Sequence, residues 1–108
     1  MTSVMEERRR APRFSLQRGE LAVLPYSVSV RVLDISLAGV LLQCSQRVNV
    51  GARGRLRLNV GGTPVMADVE VRRIMGGPMA RDTDYRIGAM FVGISREHRQ
   101  VIERFTRQ

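Results

Sequence analysis

The sequence has no tryptophan and no lysine, and its aromatic residues are two tyrosines and three phenylalanines. Proteins that bind single-stranded nucleic acid stack the bases on exposed aromatic rings, so this shortage argues against that class. The net charge of +8 therefore depends on arginine alone. Planar guanidinium groups suit the paired recognition of phosphate and guanine, although a genomic codon bias would remove the lysines as well.

Cys44 is the only cysteine and His98 the only histidine. A single thiol has no second cysteine to pair with, and the chain has no His/Cys spacing typical of a metal site. No nucleophile is accompanied by a base, and no paired carboxylates are evident. We therefore predict that the protein is not an enzyme and holds no metal or other cofactor, with Cys44 semi-buried at a strand end and His98 in a packing or capping role.

Long apolar runs are missing too. No stretch approaches the roughly 20 apolar residues of a membrane span, and the first residues lack the apolar segment of a signal peptide. We therefore expect a cytoplasmic protein. The 108 residues, of which 44% are hydrophobic, are enough for one domain with a single modest core.

What the chain does contain is a series of short segments in which apolar and polar residues alternate, as in half-buried strands. The clearest segments are residues 28–32, 56–60 and 65–71, with further strands predicted at 20–24, 40–43 and 85–92. Gly61-Gly62 is a two-residue hairpin signal. The phase of the valines, continued past Val71, places Arg73 on the buried side, at the mouth of a barrel.

One helix is predicted at the end of the chain. Ser95 is a suitable N-cap, Glu97 lies in the first turn, and Arg104 and Arg107 lie near the end, as the helix dipole prefers. One face carries four residues at helical spacing: His98, Val101, Ile102 and Phe105. Short strands followed by one helix favour an all-β antiparallel barrel, since closure removes exposed sheet edges.

Residues 8–13, with the sequence RRRAPR, form a dense basic motif. Its four guanidinium groups repel one another unless an anion neutralises them. They belong to Arg8, Arg9, Arg10 and Arg13. Alone, such a run is typical of a solvated tail or of an arm that binds polyanions without specificity.

Residues 34–39, with the sequence DISLAG, follow the alternating segment that contains Val28 to Val32. They supply the carboxylate of Asp34, the hydroxyl of Ser36 and the glycine Gly39 at fixed offsets. We predict that Gly39 adopts a backbone conformation that a side chain would forbid. Alone, this pattern is typical of an ordinary Asx or Ser turn.

Together, Arg9-x-x-x-Arg13 preceded by Arg8, and Asp34-x-Ser36-x-x-Gly39, resemble the signature of the PilZ domain. That family comprises small bacterial β-barrels that bind the second messenger cyclic di-GMP. The resemblance covers nearly the whole chain, including the segment from Tyr85 to Phe91 and the closing helix. It implies a six-stranded antiparallel barrel over residues 16–94, a flexible basic arm over residues 1–15 and a C-terminal helix over residues 95–108.

The ligand that the resemblance implies suits both motifs chemically. Guanine O6 and N7 accept hydrogen bonds from an arginine fork, and guanine N1 and N2 need an acceptor such as a carboxylate. Diester oxygens are best met by arginine forks, a hydroxyl group and free backbone N–H groups. The two motifs can therefore contact the same nucleotide.

The resemblance assigns roles to the motif residues. Arg9 and Arg13 grip guanine and phosphate, Asp34 is the guanine acceptor, Ser36 is a polar contact and Gly39 is a conformational requirement. Arg8 precedes the motif, which implies an intercalated dimer of cyclic di-GMP rather than a single molecule. We add Arg10 as a ligand contact from the arm and Arg73 as a stacking or phosphate contact from the barrel.

The predicted function is that of a bacterial cyclic di-GMP receptor whose arm closes over the ligand and changes the surface offered to a partner protein. By the resemblance, the partner belongs to flagellar motor, polysaccharide synthesis or pilus machinery, with outputs in motility, exopolysaccharide production and biofilm formation. Two alternatives remain: a PilZ-type adaptor that binds protein without nucleotide, and a basic barrel that binds DNA or RNA. Arg53, Arg55 and Arg57 form either a solvated strand face or a surface for one of these partners.

Overall fold

The computed structural model describes residues 17–23, 26–76 and 84–107. This part of the chain forms an all-β barrel closed in the strand order β1-β2-β3-β6-β5-β4, with every neighbouring pair antiparallel. The elements are β1 (Gln17–Val23), β2 (Tyr26–Ile35), β3 (Gly39–Cys44), β4 (Arg53–Val60), β5 (Thr63–Gly76), β6 (Tyr85–Ile94) and helix α1 (Arg96–Arg107). The predicted six-stranded barrel with a C-terminal helix is confirmed.

The four arginines of the predicted arm lie outside the described residues, so their placement and the boundary between arm and barrel stay predictions. They are Arg8, Arg9, Arg10 and Arg13. Within the ranges that the structure covers, no helix has the length and apolar character needed to cross a membrane.

The barrel interior is filled by the apolar residues of the alternating segments. In β2 the three valines at 28, 30 and 32 are buried while Ser29 and Arg31 are exposed, and β4 and β5 alternate in the same way. Each strand buries one face because successive side chains point to opposite sides of the sheet. The core contains several fully buried side chains from different strands: Leu21, Leu42, Leu56, Val69 and Ile87.

Cys44 lies at the end of β3 and is buried, rather than semi-buried as the sequence suggested. Its Sγ lies 3.0 Å from the carbonyl oxygen of Gln46. Burial, with a smaller contribution from the negative charge of Asp84, raises the pKa of the Cys44 thiol. The thiol is therefore a neutral packing group at neutral pH.

Helix α1 lies against β4 and β5. The amide nitrogen of His98 donates a hydrogen bond to Ser95 Oγ at 3.1 Å, which confirms Ser95 as the N-cap. Ile102 is fully buried and belongs to the same core as the barrel residues. His98 Nδ1 lies 3.2 Å from both the amide nitrogen and the carbonyl oxygen of Met66. The pairing of β5 with β6 ends at Ala67, so the histidine is the hydrogen-bond partner of the next residue of β5 on that side.

Two irregular backbone positions shape the strands. Gly61 and Gly62 have φ values of +57° and +89° and form the turn between β4 and β5, as predicted. On β5, the register against β6 shifts between Val71 and Arg73, so that Val71 pairs with Ala89 while Arg73 pairs with Gly88. This β-bulge turns Arg73 outward, and its side chain is exposed. The prediction that Arg73 continues the buried phase of the valines was wrong.

Candidate functional site

The turn between β2 and β3 is held together by Ser36. Its amide nitrogen donates to the carbonyl oxygen of Gly39 at 2.9 Å. Its Oγ accepts hydrogen bonds from the amide nitrogens of Ala38 at 3.2 Å and Gly39 at 3.3 Å. The hydroxyl oxygen is thereby fixed at the outer surface of the turn, where Ser36 is exposed.

Asp34 precedes this turn at the end of β2. Its Oδ1 accepts a hydrogen bond from the amide nitrogen of Ile35 at 2.8 Å, which limits the rotation of the carboxylate. The register between β2 and β3 shifts between Val32 and Asp34, and Asp34 is exposed. A ligand can therefore reach a carboxylate that is already oriented.

Gly39 is required for a different reason from the one predicted. Among the described residues the glycines with positive φ are Gly51, Gly61, Gly62 and Gly76, and Gly39 is not one of them. A Cβ added at Gly39 would instead lie 2.2 Å from the carbonyl oxygen of Ala89 on β6. Real Cβ atoms do not approach a backbone oxygen this closely, so the glycine allows the turn to contact β6. The expectation of a conformation forbidden to side chains was therefore wrong, while the need for glycine holds.

The contact between the turn and β6 is reinforced by the backbone. The amide nitrogen of Phe91 donates to the carbonyl oxygen of Ala38 at 3.0 Å, and Gly39 pairs with Met90. The turn is therefore anchored to a strand that lies about fifty residues later in the chain. This anchoring brings the turn next to the bulge of β5, because β5 is the other neighbour of β6.

The turn and the bulge line one cavity of about 360 Å³. We call this cavity the candidate site. It collects all the predicted site residues that lie within the described part of the chain: Asp34, Ser36, Gly39 and Arg73. The four residues come from two segments that are far apart in sequence, and the barrel closure brings them together.

The side chain of Arg73 lies over Gly88 of β6. A Cβ added at Gly88 would lie 3.8 Å from Arg73 Cβ and 3.9 Å from Arg73 Nε, which is ordinary van der Waals contact. Arg73 forms no ion pair with any residue that the structure describes. Its guanidinium group is therefore a cation with free hydrogen-bond donors beside the cavity.

Not all residues of the candidate site were predicted, and Arg72 and Met90 are two of those that were missed. Arg72 and Met90 both line the cavity, and Arg72 Nη2 lies 3.2 Å from Met90 Sδ. Arg72 Nε also lies 3.5 Å from Glu70 Oε2, so its charge is partly neutralised. The pair Arg72-Arg73 was a usable signal, because two consecutive charged residues at the end of a buried alternation cannot both follow that alternation and so indicate a bulge.

The candidate site combines a carboxylate, a hydroxyl group and a guanidinium group around an open cavity. A carboxylate accepts hydrogen bonds, whereas a guanidinium group donates them to oxygen or to the acceptor edge of a purine. Such a set recognises a ligand that has both N–H donors and anionic or acceptor atoms. Within the described ranges, no three His, Cys, Asp or Glu side chains form a group that could hold a metal ion.

Other surface features lie apart from the turn between β2 and β3. A larger cavity of about 580 Å³ lies beside α1 on β1, β4 and β5, and Leu58, Pro64 and Val65 contribute to its mainly apolar lining. Its size alone does not make it the functional site, because it lacks the carboxylate and hydroxyl groups of the turn. On β4, Arg53 pairs with Glu70 and Arg55 pairs with Asp68, so the positive charge of these two arginines is neutralised by carboxylates of β5.

Comparison with known proteins gives a family and a fold. The sequence profile of the family described as PilZ domain matches residues 7–108. No protein among the curated sequences matches the chain. The inhibitor of motility (MotI/DgrA) of Bacillus subtilis superposes with a TM-score of 0.70 at 14% identity, over 84% of this chain and 46% of that chain. The PilZ domain of YcgR from Escherichia coli, solved with c-di-GMP, superposes with a TM-score of 0.66 at 17% identity, over 85% of this chain and 83% of that chain.

Proposed function

Because the chain belongs to the PilZ domain family, we propose that it is a receptor for cyclic di-GMP that transmits the signal by contact with another protein. A PilZ domain is a ligand-binding or adaptor domain rather than a member of a known enzyme family. The observation that carries the proposal is the candidate site, in which Asp34, Ser36 and Arg73 surround one cavity. These groups complement the guanine edges and diester oxygens of the ligand.

Each barrel residue has a distinct role in this proposal. Asp34 accepts hydrogen bonds from N1 and N2 of one guanine, since a carboxylate is the acceptor that this edge needs. Arg73 contacts a phosphate or stacks on a purine face, two functions that its planar group serves well. The Ser36 oxygen accepts two amide hydrogens, and its O–H faces the carbonyl oxygen of Gly39 at a long 3.5 Å, a weak hydrogen bond that a ligand oxygen can replace. Gly39 keeps the turn against β6.

The remaining contacts come from the arm. Gln17 of β1 pairs with Val32 of β2, two residues before Asp34, so the chain enters the barrel near the candidate site. Arg13 precedes Gln17 by four residues, which span at most about 14 Å when extended. Arg13 and Arg9 are therefore near enough in sequence to grip the ligand from the side opposite the turn, with Arg10 as a further contact.

The proposed mechanism is closure of the arm over the ligand. The ligand shifts the equilibrium toward the closed arrangement only by binding that arrangement better than the open one. Closure changes the surface that the domain offers to its partner. Arg8 precedes the motif, so we propose that the ligand binds as an intercalated dimer. Such a dimer brings more phosphate charge than a single molecule does and so needs more arginines.

For the biological output, the likeness to an inhibitor of motility makes flagellar motility the first process to test. Polysaccharide synthesis, biofilm formation and pilus function are the other outputs that we propose, with the protein acting in the cytoplasm. A nucleotide-independent adaptor remains the alternative function. Binding of DNA or RNA is disfavoured because Asp68 and Glu70 neutralise two of the arginines on β4.

Isothermal titration with cyclic di-GMP tests the proposal, with GTP and a short oligonucleotide as controls. We expect saturable binding of two molecules of cyclic di-GMP per chain. One molecule per chain would support the receptor function but contradict binding of the ligand as an intercalated dimer. Arg13→Ala should abolish this binding without a change in thermal stability. Absence of binding to cyclic di-GMP would contradict the receptor function. The oligonucleotide would then separate the nucleic-acid protein from the nucleotide-independent adaptor.

A further inference from the structure

A row of three arginines and one glutamine crosses the outer face of four strands. Arg18 of β1 pairs with Arg31 of β2, Arg31 pairs with Gln43 of β3, and Gln43 pairs with Arg86 of β6. These four residues, which we call the arginine row, share the outward face because the strand residues beside them point into the core. The buried neighbours are Val30, Val32, Leu42, Cys44 and Ile87.

Within the described ranges, the arginines of this row form no ion pair with an acidic side chain. Directly opposed residues on neighbouring strands have Cβ atoms about 4.5–5.5 Å apart, and like charges at that separation repel. Arg18, Arg31 and Arg86 are exposed, and none of them forms an ion pair with a described residue. Positive charge is therefore concentrated along the row without an ion pair to any residue that the structure describes, and a bound anionic group would relieve the repulsion between Arg18 and Arg31.

The surface beside Arg18 and Arg31 is concave and polar. A cavity of about 220 Å³ is lined by these two arginines together with Gln43 and the hydroxyl-bearing residues Ser29 and Ser45. Gln43 Nε2 donates a hydrogen bond to Asp84 Oδ2 at 2.9 Å, so the amide is oriented. The cavity thus offers two guanidinium forks and hydroxyl donors to oxygen atoms of a bound group.

We infer that the arginine row is the docking surface for an acidic segment of a partner protein. The inference rests on the proposed adaptor function and names the chemistry of the partner. Guanidinium forks bind carboxylates through two parallel hydrogen bonds, a geometry that separate aspartate or glutamate side chains can satisfy one by one. Arg18 and Arg86 are separated by three strand spacings, about 14 Å. An extended segment of about five residues, or a helix of about ten, covers that distance.

Two observations favour a peptide over a nucleic acid or an anionic lipid surface. No aromatic side chain is found among the described residues of the row and its cavity, so nucleic acid bases would have no ring to stack on. Asp84 also lines the cavity, and its carboxylate would repel a uniformly anionic backbone or headgroup layer. A peptide can instead present carboxylates opposite the arginines and a neutral residue opposite Asp84.

The arginine row borders the candidate site without belonging to it. Arg31 lies three residues before Asp34 on β2, and Arg86 lies two residues before Gly88 on β6. Neither Arg31 nor Arg86 lines the cavity of the candidate site. A partner docked on the row would therefore lie next to the ligand, and the two binding events can be measured separately.

Fluorescence anisotropy with the full chain and a labelled ten-residue peptide in which glutamate alternates with serine tests the inference. The double variant Arg18→Gln/Arg31→Gln should lose about tenfold or more in affinity for this peptide. The control Arg53→Gln/Arg55→Gln has the same change in net charge, also on outward strand positions, but at arginines that already have acidic partners. Its affinity for the peptide should fall by less than about threefold. An equal loss of affinity in both variants would mean that net charge alone governs binding, and it would overturn the inference.

Further measurements separate the other occupants. A single-stranded oligonucleotide or vesicles containing phosphatidylglycerol should bind more weakly than the peptide at the same ionic strength. Tighter binding of either, lost in the row variant, would identify a polyanion as the occupant and overturn the inference. Failure of the wild-type chain to bind the peptide would do the same. Circular dichroism checks the fold, and the single variant Arg31→Gln replaces the double variant if the latter does not fold.

Titration with cyclic di-GMP distinguishes this inference from the proposed function. The row variant should keep the cyclic di-GMP affinity of the wild-type chain. If the wild-type chain binds the peptide through the row and does not bind cyclic di-GMP, the receptor function fails and the docking surface stands. If the folded row variant loses cyclic di-GMP together with the peptide, the row belongs to the nucleotide site and the inference falls.

Discussion

The arginines of β4 and those of the arginine row occupy equivalent outward strand positions but have different neighbours. Arg53 Nε lies 3.0 Å from Glu70 Oε1, and Arg55 Nε lies 3.1 Å from Asp68 Oδ1, because the register of β4 against β5 sets these residues opposite one another. In the arginine row, Arg18 meets Arg31 instead. Alternation therefore decides which arginines point outward, whereas strand register decides which of them are neutralised.

The two sides of the barrel differ in whether their outward arginines have acidic partners. The β4 and β5 side carries ion pairs between exposed groups, which contribute little stability but neutralise Arg53 and Arg55. The side formed by β1, β2, β3 and β6 carries arginines that have no ion pair with any described residue, and it borders the candidate site. We therefore expect substitutions on the two sides to differ more in ligand and partner binding than in stability.

The largest expected effect is at Gly39, on which the contact between the turn and β6 depends. Gly39→Val should lower the free energy of unfolding by about 3 kcal/mol, because the added Cβ would overlap the carbonyl oxygen of Ala89. Chemical denaturation measures the loss. Gly88→Ala is the matched control, since its Cβ would meet nothing closer than 3.8 Å, and it should change stability by less than about 1 kcal/mol. Equal stability of the two variants would show that the close contact at Gly39 is not required.

The next effect concerns Asp34 and the ligand. Asp34→Asn keeps an oxygen for the amide of Ile35 but replaces the other carboxylate oxygen by an amide nitrogen, so the guanine N1 and N2 hydrogens lose their charged acceptor. Affinity for cyclic di-GMP should fall by about 2 kcal/mol in calorimetry, or roughly 30-fold. Asp68→Asn, on the β4 and β5 side of the barrel, should leave the affinity for cyclic di-GMP unchanged. A loss of the same size at Asp68 would mean that overall charge, rather than guanine recognition, governs binding.

A smaller effect distinguishes the two arginines of the bulge. Arg73→Ala should weaken cyclic di-GMP binding about tenfold, because Arg73 has no acidic partner among the described residues. Arg72→Ala should weaken it less, since Glu70 already lies 3.5 Å from Arg72 Nε. Calorimetry on both variants at one salt concentration measures the order. The reverse order would assign the ligand contact to Arg72 and remove Arg73 from the candidate site.

The smallest expected effect is a change in the free energy of unfolding when a paired arginine or an unpaired arginine is replaced. Arg55→Gln should lower the free energy of unfolding by about 0.5 kcal/mol at low salt, because an exposed ion pair with Asp68 is lost. Arg31→Gln should raise it by a few tenths of a kcal/mol, about 0.3, since repulsion from Arg18 is removed. Both changes should shrink at high salt through screening. The same sign for both variants would show that register does not distinguish the two sides.

Much of the barrel was predictable because its signals are local. The alternation of valines in β2 and β5, the Gly61-Gly62 turn and the Ser95 cap each depend on residues a few positions apart, and all are present in the structure. The motif Asp34-x-Ser36-x-x-Gly39 was also recognisable as a turn. The role of Gly39 was mistaken, because the oxygen that excludes a side chain belongs to Ala89 on another strand.

The position of Arg73 could not be predicted either. Alternation within β5 puts it on the buried side; the consecutive pair Arg72-Arg73 indicates a bulge, but only the pairing with β6 shows where the bulge lies and that it turns Arg73 outward. Met90 was missed because it belongs to no recognisable motif. The candidate site was therefore predictable where it lies within one turn and unpredictable where it is completed by a second segment.

Local sequence patterns specify which residues form strands, turns and the helix, and most of the side chains that face the core, because periodicity, turn residues and capping act over a few positions. The sequence also determined the chemical groups available for binding, and through its motifs the family. The tertiary structure brings Arg73 together with Asp34 and Ser36 in one cavity, and it leaves Arg18 and Arg31 without acidic partners among the residues it describes. Both outcomes depend on the register between strands that are distant in sequence, and register is set by closure of the whole barrel.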